Sequence, residues 1–162
     1  NTPFRLYKHW VHEGGISTPF IARWPKGITQ PGTISRQTGH LIDVMATCAD
    51  ISGAQYPGAP IQPMEGNSLR PVFQGGNMPE RTLYWEHEGN RAVRHAEWKL
   101  VSRHPSKWEL YNLQADRTEL HNLAAKMPGK VEDFSRQYDA WAKRCGVLPF
   151  ETLPKADALK AG

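Results

Sequence analysis

The chain has 162 residues, of which 39% are hydrophobic, 10% aromatic and 22% charged, a composition that excludes an intrinsically disordered segment. No stretch approaches the roughly 20 apolar residues of a spanning helix, and two cysteines, Cys48 and Cys145, exclude a disulfide framework or a four-cysteine zinc site. The formal net charge of +4 lies wholly within residues 1–40, where Arg5, Lys8, Arg23, Lys26 and Arg36 stand against one acid, Glu13.

A local excess of cations favours an anionic partner. No dense Lys/Arg stripe and no recognisable binding motif accompanies it, so nucleic acid is not expected. A small anionic ester suits a few isolated cations better. The opening Asn1-Thr2-Pro3-Phe4 is neither an initiating Met nor a signal or transit segment, and reads like the interior of a longer protein.

Residues 1–15 form a loop-like approach that ends in Glu13-Gly14-Gly15, where two glycines permit a close backbone approach. Thr18 to Trp24 is an apolar, β-competent run stopped by Pro25-Lys26-Gly27, which predicts a buried strand. Leu41 to Ser52 predicts a helix, with Leu41, Met45, Cys48, Ala49 and Ile51 near one face and Gly53 as its stop. On that face Cys48 is expected to be a buried, inert thiol. Residues 54–80, rich in Pro and Gly, read as a long irregular connection.

From Thr82 the pattern changes. Thr82 to Trp85, Arg91 to Arg94, Trp98 to Ser102 and Trp108 to Asn112 are short strands with short gaps, which implies an antiparallel meander. Val131, Phe134, Tyr138, Trp141 and Ala142 then recur at helical spacing from about Pro128 to Arg144, with Gly146 just beyond. This helix is expected to pack its aromatic face on the meander, so the tryptophans read as core, not as a stacking platform. The fold class is α/β, in three stretches: 1–80 as part of a larger sheet-and-helix layer, 81–146 as a small α+β unit, and 147–162 as a loose tail.

His9, His12 and Glu13 invite a metal reading. The order His-x-x-His-Glu does not match the helical zinc pattern of two His four apart with the Glu between them, and the diglycine argues against a helix, so no metal ligands are expected there. Ser17 and Cys48 carry no marked base and do not stand out as nucleophiles.

The segment from Arg5 through Lys8-His9-Trp10-Val11-His12-Glu13-Gly14-Gly15 to Trp24-Pro25-Lys26-Gly27-Ile28 resembles the sulfatase family, specifically the arylsulfatases of the alkaline-phosphatase superfamily. In that family a lysine precedes a Glu-Gly-Gly turn by five residues, as Lys8 precedes Glu13. His40-Leu41-Ile42-Asp43, Pro63 to Leu69, Asn90 to Arg94 with Trp98-Lys99-Leu100, and Trp108 to Leu113 with Asp116, Thr118, Glu119 and Leu120 follow in the family's order. The resemblance covers about residues 1–148.

The resemblance implies the C-terminal portion of an alkaline-phosphatase-like sulfatase fold, with 1–80 belonging to the large α/β domain. It implies hydrolysis of sulfate esters, with Lys8 as the residue that contacts the sulfate group. His87 and Asn90, in the Glu86 to Asn90 turn, are candidate substrate contacts. Formylglycine, made from Cys or Ser in a Cys/Ser-x-Pro-x-Arg motif, and a calcium ion held by Asp and Asn are implied for the full-length enzyme. Ser17-Thr18-Pro19-Phe20-Ile21 has Ile where the motif needs Arg, neither Cys fits, and no Asp-Asn-Gly occurs. The nucleophile and metal ligands are therefore expected in a preceding N-terminal part of the same protein, and this chain alone is expected to be inactive. The implied partners are a sulfate ester or sulfated glycan and that N-terminal part, in a periplasmic or extracellular compartment. A related phosphodiesterase or phosphonate monoester hydrolase, and a free-standing sulfated-glycan-binding module, are the alternatives.

Overall fold

The structure, a computed structural model, describes residues 2–153. It divides into two compact units: residues 2–19 with 81–153, and Phe20–Glu80.

The first unit is built on a four-stranded antiparallel sheet, β1 (Thr82–His87), β2 (Asn90–His95), β3 (Trp98–Ser102) and β4 (Glu109–Asn112), in sequential order. The meander expected from the sequence is present. Glu88 and Gly89 join β1 to β2 with φ of 51° and 79°, the left-handed pair that matches the twist of a two-residue hairpin. Pairing sets Trp85 opposite Ala92, Ala92 opposite Val101, and Lys99 opposite Tyr111. Because side chains alternate, this register sorts them into two unlike faces.

One face carries Tyr84, Val93, Trp98, Leu100 and Leu110, and packs on α4 (Pro128–Cys145) through Phe134 and Tyr138. Val93, Leu100 and Leu110 have no exposed surface, and each contributes about 1.5–3 kcal/mol by leaving water. Trp141 stacks on Tyr84 with ring centroids 5.2 Å apart. The helix starts with Pro128 in its first turn and stops at Gly146, whose φ of 70° lets the chain cap the Ala142 and Lys143 carbonyls. Both ends lie where the sequence predicts.

The opposite face carries Trp85, Asn90, Ala92, Arg94, Lys99, Val101, Glu109 and Tyr111. It is covered by the N-terminal segment: Val11 is buried against Ala92, Val101, Tyr111 and Leu113. Residues 2–19 thus pack on the sheet and do not group with 20–80, so the compact units do not follow the expected 1–80 piece. Val11 and Ile16 pack on the apolar part of this face, and Glu13 and Arg5 pair with Lys99 and Glu109 on it. The expected tail also gains structure at Phe150–Thr152, a turn of 3-10 helix; from residue 154 onward it lies outside the described residues.

The second unit holds α2 (Ile42–Ser52) and the single turn α3 (Arg70–Phe73). Gly53 ends α2 in the left-handed region, as expected. The buried face of α2 differs from the expected one. Asp43, Ala46 and Thr47 are buried, while Leu41 and Met45 are 83% and 60% exposed and Cys48 is exposed. Asp43 accepts from the His40 and Asn67 amides at 2.7 and 2.9 Å, and Thr47 accepts from the Leu69 amide at 2.8 Å. Hydrogen bonding, not apolar periodicity, thus decides which face turns in. The strand expected over 18–24 is absent: the segment has no ladder partner, and Ile21 is 91% exposed.

Candidate functional site

Lys8 sits at the tip of a short loop whose two ends are tied down by the Glu-Gly-Gly turn. That turn is a single helical turn, α1 (Glu13–Ile16), at a position where the diglycine argues against a helix. The Gly14 amide donates to the Arg5 carbonyl at 2.9 Å, and the Trp10 amide donates to the Tyr7 carbonyl at 3.2 Å. A Cβ on Gly14 would collide with the Arg5 and Leu6 carbonyls, and one on Gly15 with the Trp10 carbonyl. Both glycines are therefore required by the close approach of the loop backbone. Leu6 and His9, on either side of Lys8, have φ of 62° and 90°. Non-glycine residues in that region are strained and persist where the surroundings over-determine them. Lys8 is exposed and makes no hydrogen bond or ion pair among the described residues.

Beneath the loop, two polar networks join it to the sheet. In the first, Glu13 is buried against Lys99, with Nζ 3.0 Å from Glu13 Oε1 and 2.8 Å from Glu119 Oε1. Glu119, also buried, accepts from the Glu13 amide at 2.8 Å. Arg117 lies 3.6 Å from Glu13 Oε2 and donates to Ser17 Oγ at 2.9 Å. Arg94 lies on the same face, and burial pulls the pKa of its guanidinium below the ordinary value. Glu13 thus anchors the turn to the sheet.

The second network centres on Glu109. Its Oε2 accepts from the Tyr111 hydroxyl at 2.6 Å and from Arg5 at 3.2 Å, and lies 3.4 Å from His12 Nε2. These contacts, the His12 hydrogen bond foremost, hold the Glu109 carboxyl at a pKa of about 2. Burial and then the Glu109 carboxylate push the Tyr111 hydroxyl upward. Arg5 also donates to Tyr111 Oη at 2.8 Å and to the Glu119 carbonyl at 2.7 Å, which links the two networks.

The residues singled out in the sequence separate into two groups. His9 and His87 come together on the surface beside Lys8, with rings edge to face at 5.2 Å. Asn90 is buried, and its amide is committed to backbone: Nδ2 donates to the His87 carbonyl at 2.9 Å and to the His9 carbonyl at 3.4 Å, while Oδ1 accepts from the His104 amide at 3.1 Å. Its side chain fixes the positions of both histidines and does not face solvent. His12 and Glu13 are buried in separate networks, so the His-x-x-His-Glu run does not converge. Sequence reasoning passed over Glu88, whose Oε2 lies 3.0 Å from His9 Nδ1; the Glu-Gly hairpin signal was its only trace. Arg103 also escaped notice, and stands 5.3 Å over the Trp10 ring.

Calcium takes six to eight oxygen ligands. Near Lys8 the residues offer two imidazoles and one carboxylate, and Glu13, Glu109 and Glu119 are committed to cations below the loop. This donor set does not fit calcium.

Comparison with known proteins places these features. The family model described as N-sulphoglucosamine sulphohydrolase, C-terminal, matches residues 4–137. A sulfatase of Formosa agariphila is 31% identical over 193 residues, covering 99% of this chain and 34% of that protein. The N-acetylgalactosamine-6-sulfatase of Canis lupus familiaris is 32% identical over 85 residues, 52% of this chain and 16% of that protein. The chain thus spans about a third or less of the length of these relatives. Among solved structures, a Bacteroides thetaiotaomicron protein described under the metabolism of multiple glycosaminoglycans superposes with a TM-score of 0.72 at 21% identity, over 86% of this chain and 32% of that one. Ps i-CgsB superposes with a TM-score of 0.71 at 23% identity, over 88% and 32%. With the family model running from the Lys8 loop to just past the middle of α4, the chain belongs to the sulfatases, in the family of their C-terminal domains.

Proposed function

We propose that this chain supplies the C-terminal part of a sulfate-ester hydrolase and that Lys8 places its ammonium on the sulfate group. The observation that carries the reading is the Lys8 loop itself: a cation, exposed and unpaired among the described residues, at the tip of a backbone held by two obligatory glycines and two left-handed residues. Cleaving the S–O ester bond builds negative charge on the non-bridging and leaving oxygens. A fixed ammonium aimed at those oxygens stabilises that charge more than it stabilises the ground state. Asn90, Gly14 and Gly15 contribute by holding the loop, and His87 is the candidate for a further substrate contact at its edge.

The formylglycine nucleophile and the calcium ion belong, in this reading, to residues outside this chain. When present they would supply the attacking oxygen and neutralise sulfate charge. This chain's part is to position one cation and to shape one wall of the pocket.

The substrate class is a sulfated small molecule or glycan. One solved neighbour is in complex with D-glucosamine-2-N,6-O-disulfate and superposes with a TM-score of 0.51; another is in complex with k-i-k-neocarrahexaose. A periplasmic or extracellular location goes with this reading, and no helix among the described residues is long and apolar enough to cross a membrane. The test is the rate of the complete protein on an aryl sulfate against an aryl phosphate diester and a phosphonate monoester. A clear preference for the sulfate is expected; a preference for either phosphorus ester would overturn the assignment.

A further inference from the structure

We propose that His9, His87 and Glu88 form a binding site for a divalent transition-metal ion of the zinc class, next to Lys8. The inference rests on this cluster alone and does not depend on the hydrolase reading.

The donor chemistry selects the ion. Two imidazole nitrogens and one carboxylate oxygen suit zinc and its neighbours, whereas calcium and magnesium want oxygen throughout. One ligand atom from each residue lies within 4.8 Å of the others. His9 Nδ1 and Glu88 Oε2 are already 3.0 Å apart. In a tetrahedral zinc site with bonds of about 2.0–2.1 Å, ligand atoms stand about 3.3 Å from one another. Closing the set therefore needs a shift of about 1.5 Å, which rotation of exposed side chains about χ1 and χ2 can supply.

The backbone beneath these side chains is already arranged. His87 ends β1 and Glu88 opens the tight hairpin turn, so their relation is fixed by the sheet. His9 is held at φ 90°. The Asn90 amide donates to the carbonyls of both His9 and His87, which ties the two histidine backbones to each other across a long stretch of sequence. A site whose ligand-bearing backbone is positioned before the ion arrives avoids the backbone part of the ordering cost of binding. Three protein ligands leave a fourth position open to water or an anion, and Lys8 is the adjacent cation in the chain.

The experiment is equilibrium dialysis of zinc against the complete protein near neutral pH, with calcium kept in excess so that any oxygen-rich site stays filled. Wild type is compared with His9→Gln, His87→Gln and Glu88→Gln, and with His121→Gln as a control on an exposed histidine that pairs with Asp116. Each histidine variant is expected to lose about one equivalent of bound zinc per chain, Glu88→Gln to bind it more weakly, and His121→Gln to match wild type. With cobalt, wild type is expected to show the intense visible band of a four-coordinate ion, and His9→Gln to lack it. Should His87→Gln disturb folding, as read by thermal unfolding, His9→Gln decides, because the His9 side chain is exposed and, among the described residues, its ion pair is with Glu88 alone. Equal zinc content in wild type and His9→Gln, or an equal loss in His121→Gln, would overturn the site.

Discussion

The Lys99 ammonium is buried beneath the sheet face with the Glu13 carboxylate 3.0 Å away, at 0% and 1% side-chain exposure. This pair connects β3, an inner strand of the meander, to the turn that orients Lys8. Breaking a buried pair from one side leaves an uncompensated charge and costs about 3–5 kcal/mol. Lys99→Met is therefore expected to lower the free energy of unfolding by that order, as read from the midpoint and slope of urea unfolding. A variant as stable as wild type would mean that the pair does not hold the turn to the sheet.

Gly15→Ala should act on the loop more than on the sheet. The added Cβ collides with the Trp10 carbonyl, so the backbone carrying Lys8 must shift. A displacement of about 1 Å at a positioned group can cost about a hundredfold in turnover. Steady-state kinetics on a sulfate ester are expected to show a fall in kcat of that order. Unchanged kcat would show that the close approach does not position Lys8.

The meander and α4 were legible in the sequence because their signals are local. Alternating apolar residues, a Glu-Gly hairpin turn and the Phe134, Tyr138, Trp141 spacing each act within a few residues. The helix at 42–52 was legible as a helix, but its inward face was not. Asp43 and Thr47 are buried by hydrogen bonds to the backbone at Asn67 and Leu69, which apolar periodicity cannot report. The run at 18–24 has strand composition without a strand to pair with, and pairing decides. At the candidate site, the motif pointed to Lys8 and its diglycine. The partners of Glu13 are Lys99 and Glu119, and those of His9 are His87 and Glu88. Each set joins residues that only the folded sheet brings together.

Glu109 gives a pH dependence with a definite sign. Its folded pKa of about 2 lies below the ordinary 4.5. Its contribution to stability is therefore fully present above about pH 4.5 and is lost as pH falls toward 2. Thermal unfolding from pH 5 to pH 2 is expected to show a steeper loss for wild type than for Glu109→Gln. Parallel curves would remove Glu109 as a source of acid sensitivity.

Asn90→Ala should loosen the histidine rim without emptying the core. The change leaves the His104 amide and the His9 and His87 carbonyls without their side-chain partner, at about 1–3 kcal/mol for each group left unsatisfied. Faster amide exchange at His104 and a lower melting temperature are expected. Unaltered exchange at His104 would show that the amide does not tie the loop to the hairpin.

The most direct measurement is turnover of an aryl sulfate by the complete enzyme carrying Lys8→Ala, paired with its melting temperature. Removing one positioned electrostatic donor typically costs about 10²–10³ in kcat. A fall of at least about a hundredfold with an unchanged melting temperature is the predicted result. Wild-type turnover in a folded Lys8→Ala enzyme would contradict the account.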